Sequence, residues 1–156
     1  MGVSGAGKTR VGRLLAETLH WTFLDADDFH PQSNIAKMTA GMPLDPADRA
    51  VWLEALLAAL AEAEITGNVV LACSALRAAF RSALSAGVSD VRFVYLKADA
   101  ALVRERVANR RGHFMPASLV ESQFATLEEP DDALAIDASR PPAEIVREIR
   151  SHATAR

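Results

Sequence analysis

The sequence predicts a single α/β domain in which a parallel β-sheet is covered by helices on both faces, a three-layer sandwich. Short apolar segments suited to strands alternate with segments that have the periodicity of amphipathic helices. Strands that alternate with helices pair in parallel, because each helix carries the chain back to the same end of the sheet. With 156 residues, half of them apolar, residues 1–156 are expected to form one domain.

A phosphate loop stands near the start of the chain. The residues Gly2-Val3-Ser4-Gly5-Ala6-Gly7-Lys8-Thr9 fit the pattern G-x-x-x-x-G-K-[ST]. Glycines let such a loop curl until its amides surround an anion, and the following helix adds the positive end of its dipole. Lys8 has the charge and reach to bind the β- and γ-phosphates, and the Thr9 hydroxyl is placed to bind Mg²⁺. All eight residues are therefore candidate ATP-binding residues in a P-loop NTPase fold; a glycine-rich turn with a solvated lysine is the alternative.

The setting of the loop is unusual. A phosphate loop normally follows a buried strand, and only Met1 precedes this one. The first strand is therefore expected to be missing or truncated, and a start codon assigned too late is the favoured explanation. A fold that manages without its usual central strand is the alternative.

The remaining elements follow from apolar patterning. Strands are predicted at 22–24, 69–73, 91–96 and 133–137. Helices are predicted at about 8–19, within 30–41, from 45 past 60, around 102–107, at about 117–127 and from 142 onwards.

Two carboxylates follow the strand at 22–24. Asp25 and Asp27 are two residues apart, so on an extended backbone both side chains point to the same side. Ligands of open α/β sheets bind at the carboxyl ends of the strands. Two carboxylates there can hold hydrated Mg²⁺ and accept a proton or hydrogen bond from a substrate hydroxyl. An acidic helix start, with aspartate as the N-cap, explains the same residues equally well.

A cluster of arginines precedes Gly112 and predicts a phosphate lid at about 106–118, with charge to stabilise the transferring group and a hinge to close over it. Its members are Arg104, Arg106, Arg110 and Arg111. A solvated basic face or a nucleic-acid patch is the alternative.

Composition excludes several classes of protein. The net charge of −3 provides no basic field to attract nucleic acid or an anionic membrane, and no apolar run is long enough to span a bilayer. The single cysteine, Cys73, excludes an internal disulfide, and the four scattered histidines have no zinc-ligand spacing. The expectation is a soluble cytoplasmic protein that binds neither nucleic acid nor membranes.

Several stretches together carry a family resemblance. The most specific is D-x-D-x-x-H-P-x-x-N-I-x-K-M, which extends from Asp25 to Met38. The others are the phosphate loop and parts of 41–53, 73–77, 95–97, 110–114 and 123–130. Together they resemble the gluconate kinase family of small P-loop carbohydrate kinases, relatives of shikimate and adenylate kinases, over nearly the whole chain. Besides the first strand, Ala6 and Ala26 depart from the residues usual in the family, serine and glycine.

The resemblance implies ATP-dependent phosphorylation of D-gluconate at its terminal hydroxyl, with ATP and Mg²⁺ as cofactors, and it suggests a homodimer. The implied catalytic residues are Lys8, Asp27 and Arg110. The loop, Arg106 and Arg110 would bind ATP, and Thr9 and Asp25 would bind the metal. The implied substrate residues are Asp27, His30, Lys37, Arg49 and Arg77, most of them in a helical region at about 28–64. Arg49 comes first among the cations, because arginine can bind a carboxylate bidentately.

The residues alone leave alternatives open, both for the roles of single side chains and for the function of the protein. A histidine before a proline, as at His30, is more often structural than catalytic. A surface ion pair is the alternative for Asp48 and Arg49. A related kinase acting on shikimate, a nucleoside monophosphate or another sugar acid is one alternative function. A nucleotide-binding protein without catalysis is another.

Overall fold

The computed structural model describes residues 1–88, 90–109 and 119–153. In these residues, parallel strands alternate with helices, as predicted. The strands are β1 (Thr22–Asp25), β2 (Val69–Ala72), β3 (Val94–Lys97) and β4 (Leu134–Asp137). The helices are α1 (Lys8–Leu19), α2 (Gln32–Thr39), α3 (Pro46–Thr66), α4 (Ala78–Gly87), α5 (Ala100–Ala108), α6 (Leu119–Thr126) and α7 (Pro142–Ala153). A short 3-10 helix, Ala26–Phe29, follows β1 directly.

The strands form two parallel pairs, β1 with β2 and β3 with β4. The registers place Asp25 beside Ala72 and Lys97 beside Asp137, so the carboxyl ends of each pair are level. The predicted sheet is therefore interrupted between β2 and β3.

The backbone of Met1 and Gly2 occupies the place between the two pairs. The amino group of Met1 donates a hydrogen bond to the carbonyl of Val94 at 2.5 Å, and the N–H of Leu96 donates to the carbonyl of Met1 at 2.9 Å. On the other side, the N–H of Gly2 donates to the carbonyl of Ser74 at 3.1 Å. These three hydrogen bonds link the two pairs without forming a ladder between them.

The helices cover both faces of the strands. Along β2, Val70 packs against one apolar cluster while Val69 and Leu71 pack against the other, as expected when successive side chains point to opposite faces. Helices α1 and α7 contribute to the first cluster, and α3 and α4 to the second. Buried members of the first cluster include Val11, Leu15, Leu96, Val103, Ile136 and Ile145, and those of the second include Leu56, Leu60, Cys73 and Leu84. The predicted three-layer arrangement is confirmed.

Two local features stabilise this scaffold. Asp45 and Asp48 form a reciprocal capping box at the start of α3, with Pro46 in the first turn, so the backbone amides there have partners. Cys73 is buried, and desolvation raises the pKa of its thiol to about 11. This cysteine therefore behaves as a small apolar core residue.

Of the helices described, not even α3 combines the length and apolarity that a membrane span requires.

Candidate active site

The phosphate loop lines a cleft of about 370 Å³. Residues 4–9 lie along this cleft, whereas Gly2 and Val3 do not, and the side chain of Val3 is buried in the core. Gly5 and Gly7 have φ angles of 84° and 96°, which residues with a side chain rarely adopt. A Cβ atom on Gly5 would also come within 3.1 Å of a methyl group on α5. Glycine at these positions lets the loop curl around a space that suits an anion.

Helix α1 begins at Lys8, directly after the loop, with Gly7 as its N-cap. No side chain caps this end, and the first turn contains no acidic residue. The positive end of the helix dipole is therefore available to an anion in the cleft. The Nζ atom of Lys8 donates a hydrogen bond to the carbonyl of Val3 at 3.0 Å, so the lysine curls back over the loop.

Thr9 and Asp25 meet at the edge of the cleft. Oγ1 of Thr9 donates a hydrogen bond to Oδ2 of Asp25 at 2.7 Å, and Oδ1 of Asp25 accepts the backbone N–H of Asp27 at 3.2 Å. Asp25 is thus the N-cap of the 3-10 helix that contains Asp27. Of the two alternatives that the sequence left open, the helix start with aspartate as its N-cap is the one formed, because the chain turns as soon as β1 ends. Both aspartates nevertheless line the cleft together with Thr9.

This pair of residues fits a magnesium ion. A hydroxyl and a carboxylate are oxygen donors of the kind that Mg²⁺ prefers. Across the part of the chain that the structure describes, no group of three or more His, Cys, Asp or Glu side chains could hold a metal ion. Mg²⁺ is usually bound by one or two protein oxygens together with substrate phosphates and water.

Arg106 brings a positive charge to the loop. Its Nη1 atom donates weak hydrogen bonds of 3.4 Å to the carbonyl groups of Gly5 and Ala6, and Nη2 donates to the carbonyl of Ala138 at 2.9 Å. The guanidinium lines the cleft, where the sequence predicted a phosphate-binding arginine. The predicted Arg110 lies outside the described residues, as does residue range 110–118 of the expected lid.

Gln123 also contacts the loop, although the sequence interpretation did not include it among the site residues. Its Oε1 atom, on α6, accepts a hydrogen bond of 2.6 Å from the backbone N–H of Ser4. Ser4 is only 8% exposed, so this amide depends on a protein partner. In the sequence, the presence of Gln123 in a stretch shared with the gluconate kinases was the only signal.

An aromatic stack lies next to the 3-10 helix. The ring of His30 stacks on Trp52 at 4.5 Å between centroids, and Trp52 stacks on Phe80 at 5.0 Å. Nε1 of Trp52 donates a hydrogen bond to the carbonyl of Ala26 at 2.7 Å. Burial lowers the pKa of His30 and the nearby Asp27 carboxylate opposes this effect, so the imidazole is neutral at pH 7.

Polar contacts hold α2 against the start of α3. Asn34 is 1% exposed, and its Nδ2 atom lies 3.0 Å from the carbonyl oxygen of Asp48 and 3.4 Å from Nδ1 of His30. Nζ of Lys37 lies 2.6 Å from a carboxylate oxygen of Asp48 and 3.4 Å from one of Asp45. The hydrogen bond to Asp48 raises the pKa of Lys37.

Comparison with known proteins identifies the family. The family model described as shikimate kinase matches residues 4–153. A probable gluconokinase from Xenopus tropicalis is 43% identical over 168 residues, covering 96% of this chain and 88% of that protein. The thermoresistant gluconokinase of Escherichia coli (strain K12) is 41% identical over 146 residues, covering 90% of this chain and 83% of that protein. The chain belongs to the gluconokinase family.

A solved structure agrees with this assignment. The crystal structure of a gluconokinase from Sinorhizobium meliloti 1021 has a TM-score of 0.82 to this chain at 41% identity, and the match covers 95% of this chain and 85% of that one. The resemblance inferred from the sequence motifs and the P-loop fold are both confirmed. The arrangement of strands, loop and cleft is therefore that of the gluconokinase family over almost the entire chain.

The four predicted substrate residues other than Asp27 do not line the phosphate cleft. Their roles in this gluconokinase-family chain stay predictions. The ion pair considered for Asp48 and Arg49 is formed by Lys37 with Asp48 instead. Within the described residues, the guanidinium of Arg49 has no hydrogen-bond or ion-pair partner. Arg77 is exposed and is the N-cap residue of α4.

Proposed function

We propose that this chain is a gluconokinase, which transfers the γ-phosphoryl group of ATP to the terminal hydroxyl of D-gluconate and forms 6-phospho-D-gluconate. The observation that carries the proposal is a single cleft lined by the phosphate loop, Thr9, Asp25 and Asp27. It occurs in a chain that is 43% and 41% identical to two gluconokinases. A cytoplasmic location belongs to the same proposal, because ATP is supplied there.

The residues around the loop would bind the nucleotide. Amides of the loop and of the first turn of α1 donate to phosphate oxygens, and Lys8 neutralises charge on the β- and γ-phosphates. Thr9 and Asp25 would hold Mg²⁺, directly or through water, and the ion supplies charge neutralisation when bound. Arg106 stabilises the negative charge of the transferring group, and the same role is proposed for Arg110.

Asp27 would act on the acceptor. Its carboxylate orients the terminal hydroxyl and takes its proton as the oxygen forms a bond to the γ-phosphorus. The bond from that phosphorus to the bridging oxygen breaks, and ADP leaves with its electron pair. Asp27 suits this role because it lines the same cleft as the loop.

The sugar acid itself needs a cation and polar partners. Arg49 is the proposed carboxylate-binding residue, because its guanidinium has no partner within the described residues and can bind a carboxylate through two parallel hydrogen bonds. His30 is the proposed hydroxyl-binding residue. Lys37 and Arg77 are retained as weaker candidates, since Lys37 is already paired with Asp48.

A second acceptor is favoured by one observation. The family model that matches residues 4–153 is that of shikimate kinase. Shikimate is also a carboxylate with several hydroxyl groups, so the same site chemistry applies to it. The identity to gluconokinases favours gluconate.

A coupled assay for ADP formation tests the proposal, with ATP, Mg²⁺ and gluconate, shikimate, AMP or a second sugar acid as acceptor. We expect turnover with gluconate and a far lower kcat/KM with every other acceptor. The variant Lys8→Met, which should abolish turnover, controls for contaminating kinases. A higher kcat/KM for shikimate would replace gluconate as the substrate, and ATP binding without turnover of any acceptor would overturn the kinase assignment.

A further inference from the structure

Asn34 connects His30 to the start of α3. Its side chain is almost completely buried, and Nδ2 lies between two acceptors, the carbonyl oxygen of Asp48 at 3.0 Å and Nδ1 of His30 at 3.4 Å. Asn34 is not expected to touch ATP or the acceptor, and neither the family resemblance nor the proposed mechanism assigns it a role.

The contact with Asp48 determines which way the amide of Asn34 points. A backbone carbonyl can only accept a hydrogen bond, so the atom that faces it must be the NH₂ group of Asn34. With the amide reversed, two oxygen atoms would face each other in a buried place without a hydrogen between them, which is costly. The orientation of Asn34 is therefore fixed by the backbone of α3.

The same NH₂ group determines the state of the His30 ring. Nδ1 of His30 lies 3.4 Å from this group, and because an amide NH₂ can only donate, a hydrogen bond between them requires a lone pair on Nδ1. A neutral imidazole has one protonated and one unprotonated nitrogen, so the proton lies on Nε2.

The ring is also held in place. It stacks on Trp52 with an angle of 14° between the planes, and the hydrogen bond from Nε1 of Trp52 to Ala26 fixes the indole in turn. Within the described residues, Nε2 of His30 has no hydrogen-bond partner, although the side chain is about half buried. A fixed donor without a partner is what a ligand oxygen requires.

We propose that Asn34 is a positioning residue that holds His30 as the Nε2–H tautomer, so that Nε2 donates a hydrogen bond to a hydroxyl oxygen of the acceptor. The tautomer follows from the contacts alone, whereas the acceptor contact rests on the proposed function. The lowered pKa of His30 favours a neutral ring, and a neutral ring is better suited to bind a hydroxyl of the acceptor than a carboxylate. Because its unprotonated nitrogen is occupied by Asn34, His30 does not serve as the base, and that task is left to Asp27.

Nuclear magnetic resonance tests the tautomer without any substrate. Long-range proton–nitrogen correlation spectra of the ¹⁵N-histidine-labelled protein distinguish protonated from unprotonated ring nitrogens, and the variant His30→Gln identifies the signals of His30. We expect a protonated Nε2 and an unprotonated Nδ1. An Nδ1–H tautomer or a mixture of both in the wild-type protein would overturn the proposal.

Two variants test the role of Asn34. In Asn34→Asp the side chain becomes an acceptor, which should place a proton on Nδ1 of His30, whereas Ser33→Ala on the exposed side of α2 should leave the spectrum unchanged. An unchanged His30 spectrum in a folded Asn34→Asp protein would show that another group sets the tautomer. If that variant does not fold, the His30 spectra of the Asn34→Gln variant and of the wild-type protein still test whether Asn34 sets the tautomer.

Addition of gluconate tests the acceptor contact. We expect the Nε2 signal of His30 to shift on saturation with gluconate, while the Nδ1 signal remains that of an unprotonated nitrogen. In kinetics, His30→Gln should raise KM for gluconate about tenfold, the loss of one buried hydrogen bond, with KM for ATP nearly unchanged. An Nε2 signal that does not respond to gluconate overturns the contact, whereas failure of the proposed function appears separately as absence of turnover in the assay.

Discussion

The hydroxyl of Thr9 donates a hydrogen bond of 2.7 Å to the carboxylate of Asp25, and so joins the first turn of α1 to the end of β1. The two residues are 16 positions apart in the chain. Their contact joins, at one edge of the cleft, the last residue of the phosphate loop and the N-cap of the 3-10 helix that contains Asp27.

Replacement of Thr9 by valine tests this contact. Thr9→Val keeps the shape of the side chain but removes an oxygen ligand for Mg²⁺, so kcat/KM should fall by about two orders of magnitude, equivalent to about 3 kcal/mol. Steady-state kinetics at increasing Mg²⁺ concentration measure the effect. Thr9→Ser retains the hydroxyl and should keep most of the activity; equal losses in both variants would contradict the metal role.

Asp27 is predicted to act on the acceptor hydroxyl and not on ATP. Asp27→Ala should lower kcat by about 10²- to 10⁴-fold, because the proton acceptor is lost, with the affinity for ATP nearly unchanged. Turnover assays together with calorimetric titration of ATP separate the two quantities. A variant that keeps most of its kcat would remove Asp27 from catalysis.

Arg49 and Lys37 differ in how far their charges are already engaged. Arg49 has no partner within the described residues, so Arg49→Met should raise KM for gluconate by roughly tenfold or more, through loss of its charged hydrogen bonds to the carboxylate. Lys37→Met removes a cation that pairs with Asp48, so we expect a lower melting temperature and little change in KM. The opposite ranking of the two KM values would assign the acceptor carboxylate to Lys37.

Gln123 is predicted to hold the phosphate loop in shape. Gln123→Met keeps the length of the side chain but leaves the buried N–H of Ser4 without an acceptor, a loss of about 1–3 kcal/mol. KM for ATP should therefore rise about tenfold, while KM for gluconate stays unchanged. Glu121→Gln, an exposed change on the same helix, is the matched control. A decrease in stability without any change in KM would limit Gln123 to packing.

His30 gives the stability of the protein a defined dependence on pH. Burial lowers the pKa of His30 in the folded state below 6.5, its ordinary value in the unfolded chain. At pH values between the folded-state pKa and the unfolded-state pKa, the unfolded chain therefore binds more protons than the folded chain. The free energy of unfolding should therefore rise with pH up to about 6.5, and the contribution of His30 should be complete above that pH. Urea unfolding at several pH values should show that His30→Gln loses this slope, whereas the exposed His152→Gln retains it.

Local sequence signals were sufficient to predict the phosphate loop and the helix that follows it. The loop motif fixed the start of α1, and its apolar spacing fixed the end at Leu19. Asp25 was recognisable because it follows directly on a strand. The turn after it was one of two equal alternatives, since aspartate serves both as a metal ligand and as an N-cap.

The contacts that shape the rest of the site could not be predicted in this way. Gln123 and Ser4 are 119 positions apart, and the bond joins a side chain to a backbone amide, which leaves no periodicity in the sequence. The orientation of Asn34 depends on the carbonyl of Asp48, and any residue type at that position would supply the same group. The connection between the two strand pairs depends likewise on backbone atoms, those of Met1 and Gly2.

The stacking of His30 on Trp52 also gives the protein a natural optical probe. A charged imidazolium quenches the fluorescence of an adjacent indole by accepting an electron, whereas a neutral imidazole does so weakly. The chain contains one other tryptophan, Trp21, so the variant Trp21→Phe would restrict tryptophan emission to Trp52. Protonation of His30 and the arrival of a ligand beside it could then be followed in real time by stopped-flow fluorescence, without a label and at micromolar concentration.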